Sequence, residues 1–394
     1  MQPIAIHAAR ALTPFEDISD AVLVIEGSKI SAVGRRGAVV LPRGAREISM
    51  RGNTVVPGFV DVHIHGAGGH DVMEGTTEAL EIIAATVARH GTTSIVATTV
   101  TASEMETCES VGNIARFIIA TGQFSARELG AEILGIHFEG PFISPARRGV
   151  HPAKWIVPPS AAFLSALLEE ARGTAQILTL APELAGALEL IATARRAGLV
   201  ISLGHTDASY EQAQAAIDAG ATHAAHVFNA MRPFSHRETG VIGAVLTSPK
   251  VTAELIADGV HVDQAAMRVL IDSKTPERVI LVSDGTSATG MPDGKYQLGK
   301  FEVTVSGGVC RNSEGRLAGS TLTLDRALRN IVALGIPLAS ALRMVTANPA
   351  RQIGLGARKG VLAAGADADL VFLDDKLEVS GVMTRGAGFD AHLH

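Results

Sequence analysis

The sequence predicts an α/β protein, a (β/α)8 TIM-like barrel with a small β-sandwich domain formed by both chain ends, on three observations. Eight short apolar runs recur along the chain, alanine-rich stretches of helical period separate most of them, and five of the runs end in a side chain that binds metals or moves protons. Alternating β and α elements are what a parallel sheet requires. In an eightfold barrel the chemistry gathers at the C-terminal strand ends, where these side chains fall.

Taken in order, the N-terminal segment reads as short strands: Ala21-Val-Leu-Val-Ile25 and Lys29-Ile-Ser-Ala-Val33 meet at Glu26-Gly-Ser, a hairpin turn. Ala368-Asp-Leu-Val-Phe-Leu373, near the other end, has the same character. The small domain is therefore assigned residues 1–54 plus 355–394, and the barrel residues 55–354. The ligand-ended barrel runs are Pro57-Gly-Phe-Val-Asp-Val-His63-Ile-His65, 133–139 ending in Glu139, 200–205 ending in His205, 224–229 containing His226, and 279–284 ending in Asp284. Runs 94–100, 176–182 and 251–258 supply the remaining three strands, and helical periods over 76–90 and 209–219 illustrate the connections.

A formal charge of −6 and no basic stripe argue against nucleic acid or an anionic membrane as partner. Two cysteines, Cys108 and Cys310, make no disulfide framework, which fits a reducing cytoplasm. The N-terminus lacks the pattern of a signal peptide, and no run approaches about 18 consecutive apolar residues.

With 14 histidines in 394 residues, chance alone gives about half a His-x-His pair. His392-Leu-His394, at the chain end, is such a pair. His63 and His65 differ from it by lying on a strand, whose period of two sends both rings to one face; they are a metal pair or a hydrogen-bonded core pair. Glu139 ends an apolar strand, where a carboxylate needs a metal or a salt-bridge partner. His137 shares its face and reads as a supporting residue. His205 and His226 close neighbouring strands and have the ligand chemistry of zinc-type metals, whereas His223 faces the other way and reads as structural. Asp284 is a helix N-cap or a general base.

The stretch 57–66 resembles the first-strand motif of the amidohydrolase superfamily. Within it, Gly135-Ile-His-Phe-Glu-Gly-Pro-Phe142, Gly204-His-Thr-Asp207, the segment 221–231 ending in Asn-Ala-Met, and Leu317-Ala-Gly-Ser320 are similar to the N-acetylglucosamine-6-phosphate deacetylase family. The resemblance runs from about Ala21 to Leu373. It implies a metal-dependent hydrolase barrel with Glu139, His205 and His226 on the principal metal and His63 and His65 at a possible second one. Zinc is the expected metal, one or two per subunit, with iron, manganese or cobalt as alternatives.

The resemblance further implies Asp284 as general base and acid, and His151 as donor to the developing oxyanion. It places Val150, Asn229, Ala230, Arg237 and His261 against the substrate, with Leu317, Ala318 and Gly319 as a backbone wall. Arg237 would grip a phosphate, in some relatives from the neighbouring subunit, so a homodimer or higher homo-oligomer is expected. Thr239, where a proline is common, and Gly285, where alanine is frequent, bear on the choice between glucosamine and galactosamine epimers. Other amidohydrolases, such as a cyclic amidase or an N-acyl-amino-acid hydrolase, and a non-catalytic binding or assembly barrel are the alternatives.

Overall fold

The computed structural model describes residues 2–122 and 130–388; the pair His392 and His394 lies outside them. Among the described residues, eight parallel strands form one sheet in which each is bonded to the next in chain order: β1 (Phe59–Ile64), β2 (Thr92–Thr99), β3 (Glu132–Glu139), β4 (Ala175–Leu180), β5 (Val200–Leu203), β6 (His223–Ala224), β7 (Thr252–Leu255) and β8 (Val279–Leu281). The last closes on the first. Asp284 N–H donates to His63 O at 2.9 Å, and His65 N–H and Gly66 N–H both donate to Gly285 O. Every residue of β1 and of β2 is buried, because the bore fills one face and helices cover the other, and so these strands read as continuous apolar runs.

The eight predicted runs and the barrel are thus in place. Several are shorter than the runs: β5, β7 and β8 stop at Leu203, Leu255 and Leu281, and β6 covers only His223–Ala224, with His226 beyond it where the backbone has turned to a φ of 25°. Among the described residues, four of the α-helices begin where a side chain accepts from their free N–H groups. Thr76 Oγ1 caps Thr77–Ala88, and Ser209 with Gln212 forms a reciprocal cap on Tyr210–Ala219.

Both chain ends share a six-stranded sheet of Ile4–Leu12, Asp17–Glu26, Lys29–Arg35, Arg46–Pro57, Leu370–Leu373 and Val379–Met383. Glu26 pairs with Lys29 across Gly27-Ser28, with Gly27 at a φ of 62° as such a tight turn requires. Leu370–Leu373 runs antiparallel to residues 54–57, and this sheet has its own core around Ile6, Leu23, Ile30 and Phe372. Where it meets the barrel, the fully buried Lys359 lies 2.6 Å from Asp369 Oδ2, 2.6 Å from Glu132 Oε2 and 3.0 Å from Asp367 Oδ2. A three-stranded antiparallel sheet, Gly294–Leu298, Phe301–Ser306 and Val309–Asn312, follows β8 and was not anticipated.

Candidate active site and metal centre

Five histidines surround Glu139 at the C-terminal mouth of the barrel. Their Nε2 atoms approach its oxygens at 3.2 Å (His63), 3.2 Å (His65), 3.3 Å (His151), 3.1 Å (His205) and 2.9 Å (His226). Asp284 Oδ1 lies 3.3 Å from His65 Nε2 and 3.7 Å from His63 Nε2. All seven side chains are buried.

Their hydrogen bonds divide the rings into two kinds. A carbonyl can only accept, so His65 Nδ1, 3.1 Å from Thr98 O, and His205 Nδ1, 3.0 Å from Arg147 O, each carry the proton. His63 Nδ1 likewise donates to Glu254 Oε2 at 2.8 Å. When neutral, each ring presents a bare Nε2 lone pair towards Glu139. Burial would lower the pKa of His63 and His65, but without a metal ion there the carboxylates of Glu254, Glu139 and Asp284 outweigh it and raise that of His63 well above its usual value and that of His65 to about 9. Either protons or a metal ion must therefore occupy these lone pairs. His63 Nε2 finds no hydrogen-bond partner among the described residues, and the Nε2 atoms of His205 and His226 lie 3.2 Å apart. Acceptors facing acceptors in a buried space are repulsive unless a cation lies between them, and imidazole held by a carbonyl or carboxylate on its far nitrogen is the usual arrangement of a metal ligand.

His151 is the opposite case. Its Nδ1 accepts the backbone N–H of Thr101 at 3.3 Å and lies 2.7 Å from Thr101 Oγ1, so the neutral ring carries its proton on Nε2 and turns a donor into the site. Burial, reinforced by His205, lowers its pKa to about 4, which keeps it neutral. Burial alone would raise the pKa of Glu139, but His63 and His205 outweigh it and hold the carboxyl well below the usual range. Asp284 is also lowered: the hydrogen bond with His65 and the charges of His63 and His65 overcome burial.

Buried His, Glu and Asp ligand atoms fall into mutually close sets, His63 with Glu139 and His226, Glu139 with His151 and His205, and His63 with His65 and Asp284. The nitrogen and oxygen donor set and its bare lone pairs fit a divalent cation of the zinc type.

A cavity of about 180 Å³ opens over this cluster, lined among others by Val150, His151, Asn229, Ala230, His261, Leu317 and Gly319, residues that the family resemblance places against the substrate. Two expected residues lie elsewhere. Ala318 is buried against Ala288, Leu298 and Val303 rather than facing the cavity, and Arg237 is exposed on the 232–240 loop. Val100, Gly149 and Leu298 line the cavity without having been anticipated. Glu254 was also missed, although a glutamate inside an apolar strand is the signal that singled out Glu139. A larger cavity, about 420 Å³, adjoins across Val100 and Thr101 but holds none of the clustered ligands.

Fold and site together define a metal-dependent hydrolase. The Amidohydrolase family signature matches residues 54–387, and the chain belongs to that family. It is 37% identical to N-acetylglucosamine-6-phosphate deacetylase of Bacillus subtilis (strain 168) over 383 residues, covering 95% of this chain and 94% of that one. It is also 37% identical to N-acetylgalactosamine-6-phosphate deacetylase of Escherichia coli O157:H7 over 382 residues, 97% and 98% of the two chains. A mutant of N-acetyl-D-glucosamine-6-phosphate deacetylase from Mycobacterium smegmatis, solved with N-acetyl-D-glucosamine-6-phosphate, matches at a TM-score of 0.91 and 38% identity, covering 98% of this chain and 99% of that one. These likenesses place the chain in the sugar-phosphate deacetylase branch of the family.

Proposed function

We propose that this protein hydrolyses the N-acetyl group of N-acetylglucosamine 6-phosphate to glucosamine 6-phosphate and acetate, with zinc held by Glu139, His205 and His226. His63 and His65 offer a second position. The observation that carries the reading is the split of tautomers around Glu139: bare nitrogens from His63, His65 and His205, and one N–H from His151. When bound, the cation polarises the amide carbonyl and acidifies water.

The chain's own groups do the rest. Asp284, ionised and buried beside the cluster, takes the proton of the attacking water and returns it to the leaving nitrogen. His151 Nε2–H donates to the carbonyl oxygen as negative charge builds there. Asn229 Nδ2 donates to His226 O at 3.2 Å, which ties the substrate-contacting segment to a ligand residue. His261, held by Asp258 at 2.7 Å, lines the sugar side of the cavity. Arg237 grips the phosphate with paired hydrogen bonds, and its exposed place outside the cavity of its own chain supports its action across a homo-oligomer interface.

N-acetylgalactosamine 6-phosphate is the second reading, favoured by the equal identity to the Escherichia coli enzyme. Among the described residues no helix is long and apolar enough to cross a membrane, and both cysteines are free, which supports a cytoplasmic setting. The test of the mechanism is Asp284→Asn: bound metal stays at the parental level while acetate release falls about 100- to 10,000-fold, and parental turnover would remove Asp284 from its role.

A further inference from the structure

Glu254 lies on β7, fully buried, and the reaction described above leaves it without a task. Its Oε2 accepts both the Nδ1–H of His63 at 2.8 Å and the backbone N–H of His226 at 3.0 Å. Its Oε1 accepts from His223 Nε2 at 2.8 Å, and the far side of that ring, Nδ1, lies 2.7 Å from Thr252 Oγ1. A buried carboxylate is costly unless its oxygens are met by donors, and here three donors from β1, β6 and the turn after β6 meet it.

What distinguishes it from an ordinary structural glutamate is where those donors lead. Fixing the proton on His63 Nδ1 leaves His63 Nε2 bare and aimed at Glu139. Fixing the His226 N–H holds the backbone at the point where it leaves β6 and turns the His226 ring to within 2.9 Å of the same Glu139 oxygen. One carboxylate therefore connects a residue of the possible second metal position with a residue of the principal one. His223, which the sequence suggested would face the other way, turns its ring to the same carboxylate and completes its hydrogen bonding at Oε1.

We infer that Glu254 is a positioning residue of the metal centre, fixing the tautomer of His63 and the backbone of His226 and so setting how tightly the centre holds a divalent cation. This rests on the reading of the Glu139 cluster as a metal site. Removing such a partner of a ligating histidine typically weakens metal binding about 10- to 100-fold.

The test is competition of the full-length protein against a chromophoric chelator with Zn²⁺ alone, together with ¹⁵N spectra of the histidine rings. Glu254→Ala is expected to weaken Zn²⁺ binding by about 10- to 100-fold and to shift His63 from its single Nδ1–H tautomer to a mixture. The part of that loss carried by the His63 tautomer should disappear in a His63→Ala background, leaving only the part carried by the His226 N–H. Glu254→Gln, whose single amide oxygen still accepts from His63 and His226, should fall between parent and Glu254→Ala. It also decides the matter if Glu254→Ala does not fold, since Glu254→Gln with parental affinity would overturn the inference. So would a folded Glu254→Ala that binds Zn²⁺ within twofold of the parent, or a loss undiminished without His63. A parent chain that binds no Zn²⁺ would instead overturn the metal-site reading, and this inference with it.

Discussion

His205, His226 and Asp284 each have a positive φ, 47°, 25° and 48°, a conformation that side chains other than glycine adopt at a cost of about 1–3 kcal/mol. Each lies just past a barrel strand. Leaving the extended conformation there turns the side chain over the bore instead of letting it alternate, and the closing bonds of the barrel hold the strain in place. His151 reaches the same spot from a loop, its ring oriented by Thr101 at Nδ1 and by Glu139 and the His205 ring on the other side. His151→Ala should therefore lower kcat about 100- to 1000-fold, the usual effect of losing one donor to an oxyanion. KM for the sugar phosphate and metal content should change little; steady-state kinetics with elemental analysis check this. Most of the side chains that gather around Glu139 were legible in the sequence as polar ends of apolar runs. The role of His151 was not, because a loop histidine carries no periodicity, and only the family resemblance singled it out.

At the scale of elements, a glycine in each of two family motifs, 135–142 and 317–320, has a physical task. Gly140, at a φ of 83°, leaves room that a Cβ would take from Thr101 Oγ1, the hydroxyl against His151. Gly319, at a φ of 58°, lets the chain pass Asp284 O, which a Cβ would approach to 2.8 Å. Gly140→Ala is expected to lose about 1 kcal/mol or more of unfolding free energy and to lower turnover by displacing Thr101, with metal content unchanged; urea unfolding and acetate release read the two effects. The barrel strands were legible because burial on both faces makes them uninterrupted apolar runs. The hairpin sheet over residues 294–312 was overlooked although Phe301–Ser306 alternates apolar and polar residues as a half-buried strand does, because it lacks the uninterrupted apolar runs that marked the barrel strands. Strand β6 was overextended for a related reason, since residues 225–229 are apolar enough to resemble strand but are used for the turn that carries His226.

The whole molecule is held together at the opposite end of the barrel from the chemistry. Lys359 neutralises Glu132 at the start of β3 and Asp367 and Asp369 near the small sheet. Burial would raise the pKa of Asp367, but Lys359, Lys29 and Arg358 outweigh it and hold the carboxyl at about 2. The unfolded value is about 3.9, so this contribution to stability is complete above about pH 4 and is lost as pH falls through about 2. Asp369, raised by burial, works the other way above that window. Urea midpoints taken between pH 4 and pH 2 should fall in the parent. Lys359→Met should weaken that dependence and cost about 3–5 kcal/mol at neutral pH by removing the buried cation that Glu132, Asp367 and Asp369 share. If Arg237 serves a neighbouring chain, co-refolding two inactive variants, Asp284→Asn and Arg237→Ala, restores acetate release that neither has alone; no recovery in a mixed oligomer would place Arg237 in its own chain's site. The expectation of a homo-oligomer comes only from the family resemblance, because one exposed arginine has no sequence signature. The central claim is tested most directly by acetate release from metal-quantified protein offered N-acetylglucosamine 6-phosphate, its galactosamine epimer and unphosphorylated N-acetylglucosamine. Preferential hydrolysis of N-acetylglucosamine 6-phosphate, lost on metal removal and regained on adding Zn²⁺, is the predicted result; no hydrolysis of any of the three by fully metallated protein would contradict it.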